Sequence, residues 1–394
     1  IYDDERDEFY FLEVNTRLQV EHGVTEAVFG VDLVAWMVML AGGETPPLDA
    51  NYQSRGHAME VRIYAEDALK DFQPSPGELT EVSFPEDIRL DGWVDTGTQV
   101  SPHYDPMLAK VIVHGDNRPA ALKKMQDALA ATRLSGIATN LDYLRRILID
   151  PKVVEGKVST RYLESFQYTP TAFEVVEPGT YTTVQDYPGR TGYWPVGVPP
   201  SGPFDNLSFR LGNRLLGNAE NAAGLEFTLN GPTLKFNQVT RIALTGADMP
   251  ATLDGQPVAS YCVIAIQPGQ ILKLGKVSGE GARAYLAVAG GLQCTPYLGS
   301  RSTFTLGQFG GHGGRALRTG DVLHFQEAAP TPPSATVPDS LKPALGNHWT
   351  LRVIYGPHGA PDFFTDDDMA MFFSTDWQVH YNSSRTGIRL VGPK

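Results

Sequence analysis

Cysteine is nearly absent from this chain. Cys262 and Cys294 are the only two in 394 residues, and no CxxC pair or histidine set at zinc spacing accompanies them. A disulfide framework and a thiolate metal centre are thereby disfavoured, and two reduced thiols in a cytosolic protein are expected. Blocks of lysine and arginine are missing as well: 45 acidic residues face 32 basic ones, for a formal net charge of -13. Nucleic acid is therefore not an expected partner, because binding a polyanion needs a concentrated basic face to release counterions. No apolar run approaches the ~20 residues of a membrane helix, so no membrane partner is expected either. No internal repeat of fixed period is visible. What is plentiful is glycine, 40 residues, and proline, 29, which suits many turns and short strands. The length exceeds what one core usually organises and predicts two or three domains.

The opening IYDDERDEFYFLEVN reads as a hairpin arm, a charged turn and a buried strand over residues 8–14. The closing RTGIRLVGPK ends on a strand-like run. Both ends are expected to be cut from a longer polypeptide, and cut strand edges to favour aggregation. After a loop, GVDLVAWMVMLAGGE is apolar at nearly every position, which predicts a helix buried on all sides and stopped by Gly42 and Gly43. HAMEVRIY, residues 57–64, alternates as a strand, and two stretches beyond it add turn-bounded strands. Asn117, with Pro119 in the first turn, opens a helix presenting Leu122, Met125 and Leu129. Thr139 and Asp142 form the pattern of a capping box for a further helix. From PTAFEVVEPG onward helical periodicity fades, LSFRLGNRLLGN excepted.

The most informative stretch is FYFLEVNTRLQVEHGVTE. Extended through Glu21, it points Glu13, Asn15, Arg17, Gln19 and Glu21 to one side, because side chains alternate along a strand. Glu13 and Asn15 are hard oxygen donors of the kind Mg²⁺ takes beside phosphates. Arg17 offers a planar fork to a small oxyanion, and Glu21 a base beside it. The same alternation also fits a solvated strand face.

EVNTRLQVEH resembles the C-terminal signature of the ATP-grasp domain of biotin carboxylases, and GHAMEVRIYAED resembles the signature of the small domain that follows it. The resemblance implies that Glu13 and Asn15 hold magnesium (or manganese) and ATP phosphates. It implies that Arg17 binds bicarbonate with Gln19 and Val20 beside it, and that Glu21 is the general base. Arg62, by itself an ordinary salt-bridging residue, would stabilise the charge that biotin develops as it takes up CO₂. The family's glycine-rich lid, phosphate-binding lysine and first magnesium carboxylate would lie upstream of Ile1, so the segment alone is expected to be inactive. Gly23 stands where many relatives have proline, a departure expected to affect loop stiffness. His22 is read as structural.

TTVQDYPGRTGYWPVGVPPSGPFDNLSFRLGNRLLGN sets polar residues among closely spaced glycines and prolines. Such a stretch suits a small polar substrate, and equally a string of tight turns. With GLEFTLNGPTLKF, ALTGADM, YLAVAGGL, YLGSRSTFTLGQFGGHGGR and YGPHGAPDFF it resembles the allophanate hydrolase subunit 2 family, from about Val175 to Lys394. That family includes carboxyltransferase domains, and the resemblance implies cyclophilin-like β lobes. No serine nucleophile arrangement is recognisable. In a carboxyltransferase, Asp186, Asp205, Asn382 and Arg385 are the candidates for positioning urea.

The expected fold class is thus multidomain α+β. Residues 1–45 would end an ATP-grasp domain, 46–168 form the biotin carboxylase C-terminal α+β domain, and 169–174 a linker. Residues 175–345 would form the first, mostly β carboxyltransferase lobe, and 346–394 begin a second, near Trp349. This module order is similar to that of the biotin-dependent urea carboxylase and urea amidolyase family. It implies urea, bicarbonate and ATP as substrates, with biotin on a carrier domain of the same polypeptide beyond Lys394. The rivals are a carboxyltransferase-like protein related to 5-oxoprolinase and a non-catalytic regulatory protein.

Overall fold

The computed structural model describes the chain except residues 4, 49–50, 327–335, 347, 349, 351, 381–382, 384, 386 and 394. It comprises two compact units, Ile1–Tyr168 and Thr169–Lys394. No single helix among the described residues is long and apolar enough to cross a membrane. Cys262 and Cys294 are both thiols, with no bridge between them.

The first unit is built on an antiparallel sheet of β1 (His57–Tyr64), β2 (Arg89–Gly92) and β3 (Met107–Gly115), with β3 in the middle. One face carries Val61, Ile63, Val111 and Val113. It packs with Leu122, Met125 and Leu129 of α3 (Arg118–Ala131) and with Leu141 and Leu148 of α4 (Leu141–Ile149). The expected α3 start is seen: the Asn117 side chain accepts from the Ala120 amide, with proline in the first turn. The other face of the sheet is polar. Register places Lys110 opposite both Arg62 and Asp91, and Ile112 opposite both Glu60 and Arg89, so two adjacent rungs present these six side chains together.

Over this polar face runs α1 (His22–Phe29), where a loop was expected, followed by α2 (Leu33–Ala41). Gly23 is therefore a buried helical residue and not a stiffness control in a loop. A Cβ there would stand 2.4 Å from Ile112 Cδ1. Three further expectations are corrected. The strand predicted over residues 8–14 is confined to Glu8–Phe9, because among the described residues only Tyr2–Asp3 pairs with it. The α2 helix is not buried: Val38 is 69% exposed and Val34, Met37 and Leu40 also face out, since no described element covers them. The capping box of α4 does not form. Asn140, not Thr139, is the cap residue, and its amide is drawn to the sheet edge instead, accepting from the Tyr64 amide at 2.9 Å and donating to the Arg62 carbonyl at 3.1 Å.

Among the described residues the second unit is built mainly on two antiparallel sheets, with a short two-stranded pair, Gln378–Val379 and Leu390–Val391, besides. The larger holds β4 (Ala172–Glu177), β7 (Thr233–Phe236), β9 (Ala251–Leu253), β10 (Gln256–Val258), β12 (Ile271–Leu274) and β14 (Val322–His324), in the order β10-β9-β12-β7-β4-β14. The smaller holds β5 (Thr182–Gln185), β6 (Gly224–Thr228), β8 (Thr240–Gly246), β11 (Val263–Ile266) and β13 (Arg283–Val288), in the order β5-β6-β13-β8-β11. β4 starts inside the stretch expected to be a linker, because Ala172 and Phe173 pair with β14 and enter the core. Phe173, Leu225, Phe227, Leu234, Phe236, Ile242 and Leu286 fill that core. Leu211 and Leu215 of α5 (Asn206–Leu215) pack on Ala243 and Ala287 of the smaller sheet. A further helix, α6 (Asp366–Ser374), escaped the periodicity reading. It opens on a capping box in which Thr365 and Asp368 bond reciprocally. Trp349 lies outside the described residues.

Candidate functional site

In the first unit the polypeptide leaves Glu8–Phe9 without regular structure and reaches Glu21, which closes a turn at the start of α1. The extended run expected through Glu21 therefore stops short of it. Tertiary packing nonetheless brings Glu21 to Arg62, 41 residues away: Arg62 Nη2 donates to Glu21 Oε2 at 2.7 Å. Arg62 Nε also donates to Glu60 Oε1 at 3.3 Å. The Glu21 side chain is 56% exposed and Arg62 34%, so the pair is open to a ligand, and as an exposed ion pair it adds little to stability. The Glu21 carboxyl sits below its ordinary value. Hydrogen bonding to its own backbone amide lowers it most, burial opposes, and Arg62 and then Arg17 lower it further. Arg62 is raised, because Glu60 and Tyr64 outweigh the burial that opposes them.

Arg17, Glu21 and Arg62 are thus brought into one electrostatic neighbourhood. Glu13 and Asn15 are both exposed, and Asn15 Nδ2 donates to Glu13 Oε1 at 3.4 Å. They form a small hard-oxygen pair, and no group of three or more acidic, histidine or cysteine side chains among the described residues forms a metal cluster. Gln19 contributes its backbone: its carbonyl lies 2.9 Å from His22 Nδ1. Val20 does likewise, its carbonyl accepting from Lys110 Nζ at 3.0 Å. His22 is engaged with Gln19 and lies 3.8 Å from Glu26, in keeping with a structural role.

In the second unit the four candidates part company. Asp186 is buried and satisfied: its carboxylate accepts from the Ser300 and Ser302 hydroxyls and from the Arg301 amide at 2.5, 2.7 and 2.7 Å. It fastens the Tyr297–Thr303 loop, and Arg190 works beside it, donating to the carbonyls of Tyr297 and Ser302 at 2.9 Å. Asp205 caps α5, accepting from the Ser208 amide at 3.0 Å and hydroxyl at 2.5 Å. Asn382 lies outside the described residues. Arg385 donates to Glu226 and to the Gly202 carbonyl.

Glu226 was not singled out by sequence reasoning. It is the one acid in the buried strand GLEFT, and a lone charge there was the available signal. Its Oε2 accepts from the Phe204 amide at 2.7 Å, and Arg283 Nε approaches its Oε1 at 3.8 Å. Both Arg283 and Arg385 lie over the Phe204 ring, at 5.1 and 5.7 Å. The Tyr285 hydroxyl accepts from the Asp205 amide at 2.7 Å, and burial, then Glu226, pushes its pKa up. The loop carrying Phe204 is held by close backbone approach. Ser201 and Gly202 take φ of 56° and 81°, and a Cβ on Gly189 would stand 2.5 Å from the Pro200 carbonyl oxygen.

Comparison with known proteins follows this division. Residues 196–394, just over half of the chain, match the family described as carboxyltransferase domain, subdomain A and B. Residues 60–165 match the biotin carboxylase C-terminal domain, and residues 1–49 the ATP-binding domain of the carbamoyl-phosphate synthase L chain. The chain is 49% identical to the urea amidolyase of Saccharomyces cerevisiae, matching over its whole length but spanning only 22% of that protein. It superimposes on the crystal structure of the Kluyveromyces lactis urea amidolyase with a TM-score of 0.89 at 50% identity, covering 24% of that chain. On the Kluyveromyces lactis urea carboxylase the TM-score is 0.88 at 49% identity, covering 36%. Each match includes 100% of the present chain. The chain belongs to the carboxyltransferase domain family, subdomains A and B, set behind a biotin carboxylase C-terminal domain as in the urea carboxylase and urea amidolyase family.

Proposed function

We propose that this chain works within an ATP- and biotin-dependent urea carboxylase that converts urea and bicarbonate to allophanate. The observation that carries the reading is the Glu21–Arg62 pair, which joins the two biotin carboxylase signatures at 2.7 Å. Bicarbonate is held by the Arg17 fork with Gln19 and Val20 beside it. Glu21 takes the bicarbonate proton on Oε1, the oxygen that Arg62 does not occupy. Its lowered pKa keeps it ionised but makes it a weaker base, so proton removal rests on how closely bicarbonate is placed against it. Arg62 then holds the negative charge that develops beside it. Glu13 and Asn15 supply one carboxylate and one amide oxygen, a donor set that suits Mg²⁺ with its remaining positions on water and phosphate. When bound, ATP with Mg²⁺ activates bicarbonate, and biotin on its carrier domain ferries the carboxyl group.

In the second unit, which we read as cyclophilin-like, urea is placed at Arg385, Glu226 and Arg283. The guanidinium groups suit its carbonyl oxygen and the Phe204 ring suits its plane, while the buried Glu226 carboxylate, already engaged by Arg385 and the Phe204 amide, holds the guanidinium groups in place. Asp186 and Asp205 are assigned to holding this loop system, since their carboxylates are already committed to serines and amides.

The test is urea-stimulated ATP hydrolysis by the whole polypeptide that contains this chain. Glu21→Gln and Arg62→Met are expected to reduce bicarbonate-dependent hydrolysis by about 100-fold or more. Arg385→Met is expected to preserve the bicarbonate- and biotin-dependent step and remove the urea stimulation. Stimulation by 5-oxoproline in place of urea would sink the assignment.

A further inference from the structure

We propose that Lys110 and Asp91 are positioning residues for the Glu21–Arg62 pair, fastening the loop that carries Glu21 to the sheet rung that carries Arg62. The inference rests on the reading of Glu21 as the base.

Lys110, Arg62 and Asp91 occupy one rung of the sheet, with Lys110 in the middle. Lys110 is only 7% exposed. Its ammonium is committed in two directions, to the Val20 carbonyl at 3.0 Å and to Asp91 Oδ2 at 3.1 Å. Val20 immediately precedes Glu21, so the first bond holds the peptide at the base. Asp91 is in turn chelated by Arg89, from Nε to Oδ1 at 3.0 Å and from Nη2 to Oδ2 at 3.1 Å. The remaining Arg89 nitrogen, Nη1, reaches the buried Glu26 of α1 at 2.6 Å. Glu26 Oε1 accepts from the Leu33 amide in the first turn of α2, at 2.7 Å. A single chain of alternating charges therefore ties the loop before α1, the helix itself and the start of α2 to the sheet face that presents Arg62.

Mere adhesion of a helix to a sheet needs no such chain. In the next rung Ile112 provides it, lying directly under Gly23. A buried lysine costs desolvation and is kept only where its partners offset it. Here its partners are a backbone carbonyl and a carboxylate whose positions set where Glu21 stands over Arg62. Glu60, from the Ile112 rung, braces the other side of the Arg62 guanidinium at 3.3 Å. The pair is thus held from the loop side by Lys110 and from the sheet side by Glu60.

The experiment compares Lys110→Met, Lys110→Arg and Asp91→Asn in the whole polypeptide. Methionine keeps the buried aliphatic stem and removes the donors. In Lys110→Met, kcat/KM for bicarbonate in biotin-dependent ATP hydrolysis is expected to fall by about 100-fold, the scale of a roughly 1 Å misplacement. The KM for ATP and the melting temperature should move little. Lys110→Arg should recover most of the loss, and Asp91→Asn should fall between. A folded Lys110→Met protein within about twofold of wild type overturns the inference. So do equal losses in the ATP and bicarbonate parameters with no recovery in Lys110→Arg, which would mark a role in folding alone. Hydrogen exchange of the peptide covering residues 17–23 decides independently of activity. Faster exchange in Lys110→Met supports the fastening role, and unchanged exchange overturns it. A wild-type protein without bicarbonate-dependent hydrolysis would overturn the functional reading, and the exchange result would still settle whether Lys110 holds the loop.

Discussion

A carboxylate among glycines can serve a ligand or a loop, and what decides between the two is how many of its acceptor positions the protein itself has filled. Asp186 illustrates this. Its residue type and setting point equally to a site and a turn, and three donors from the Ser300–Ser302 segment assign it to the turn. Asp321 belongs to the same class. Arg315 grips both of its oxygens at 2.7 and 2.8 Å, the Arg318 amide donates at 2.7 Å, and His312 lies 3.5 Å away. Burial works to raise its pKa, but Arg315 and then His312 overcome it and hold the carboxyl well below its ordinary 3.8. The unfolded chain therefore binds a proton more readily than the folded one. The stability that Asp321 contributes is complete above the ordinary value and is lost as pH falls from there through the folded value. Asp321→Asn is expected to cost about 2 kcal/mol in chemical denaturation near neutral pH. The gap between variant and wild type should narrow steadily below about pH 4, and a gap independent of pH would show that the charge is not what matters.

At the scale of elements, caps and registers carry the positions of functional side chains. The α5 helix begins where the Asp205 side chain replaces the missing backbone partners of its first turn. Asp205→Ala is expected to lower stability by about 1 kcal/mol and Asp205→Ser to restore most of it. Loss of urea stimulation in Asp205→Ser at unchanged stability would instead place the carboxylate in the chemistry. The elements also show where sequence patterns mislead. HAMEVRIY and the α3 region were legible because alternation and capping are local. The α4 capping box was not, because Asn140 finds better partners on β1 than on its own helix. Uniform apolarity in α2 predicted burial, yet apolarity states only what a surface favours, and no described element covers the side that presents Val34, Met37, Val38 and Leu40.

For the molecule as a whole, the two units have separate cores, one around Ile63, Val111 and Met125 and the other around Phe173, Phe236 and Leu286. Truncation in one core should therefore leave the other intact. Phe236→Ala is expected to destabilise the second unit by about 3–5 kcal/mol. Amide exchange at Val111 and Met125 in the first unit should stay as slow as in wild type. Faster exchange there would mean that the two units unfold as one.

Much of the candidate site was legible without the fold. The spacing of Glu13, Asn15, Arg17, Gln19 and Glu21, the Arg in HAMEVRIY and the succession of an α+β region by a mostly β region are properties of the linear chain. The reason is that local periodicity and motif spacing are set by the geometry of a few consecutive residues. Only the tertiary structure decided that Glu21 meets Arg62, that Lys110 stands between Arg62 and Asp91, and that Glu226 meets Arg385. Those meetings depend on strand register and on how a helix seats against a sheet. Both are settled by summing many weak contacts among residues far apart in sequence, so no short stretch of sequence contains them.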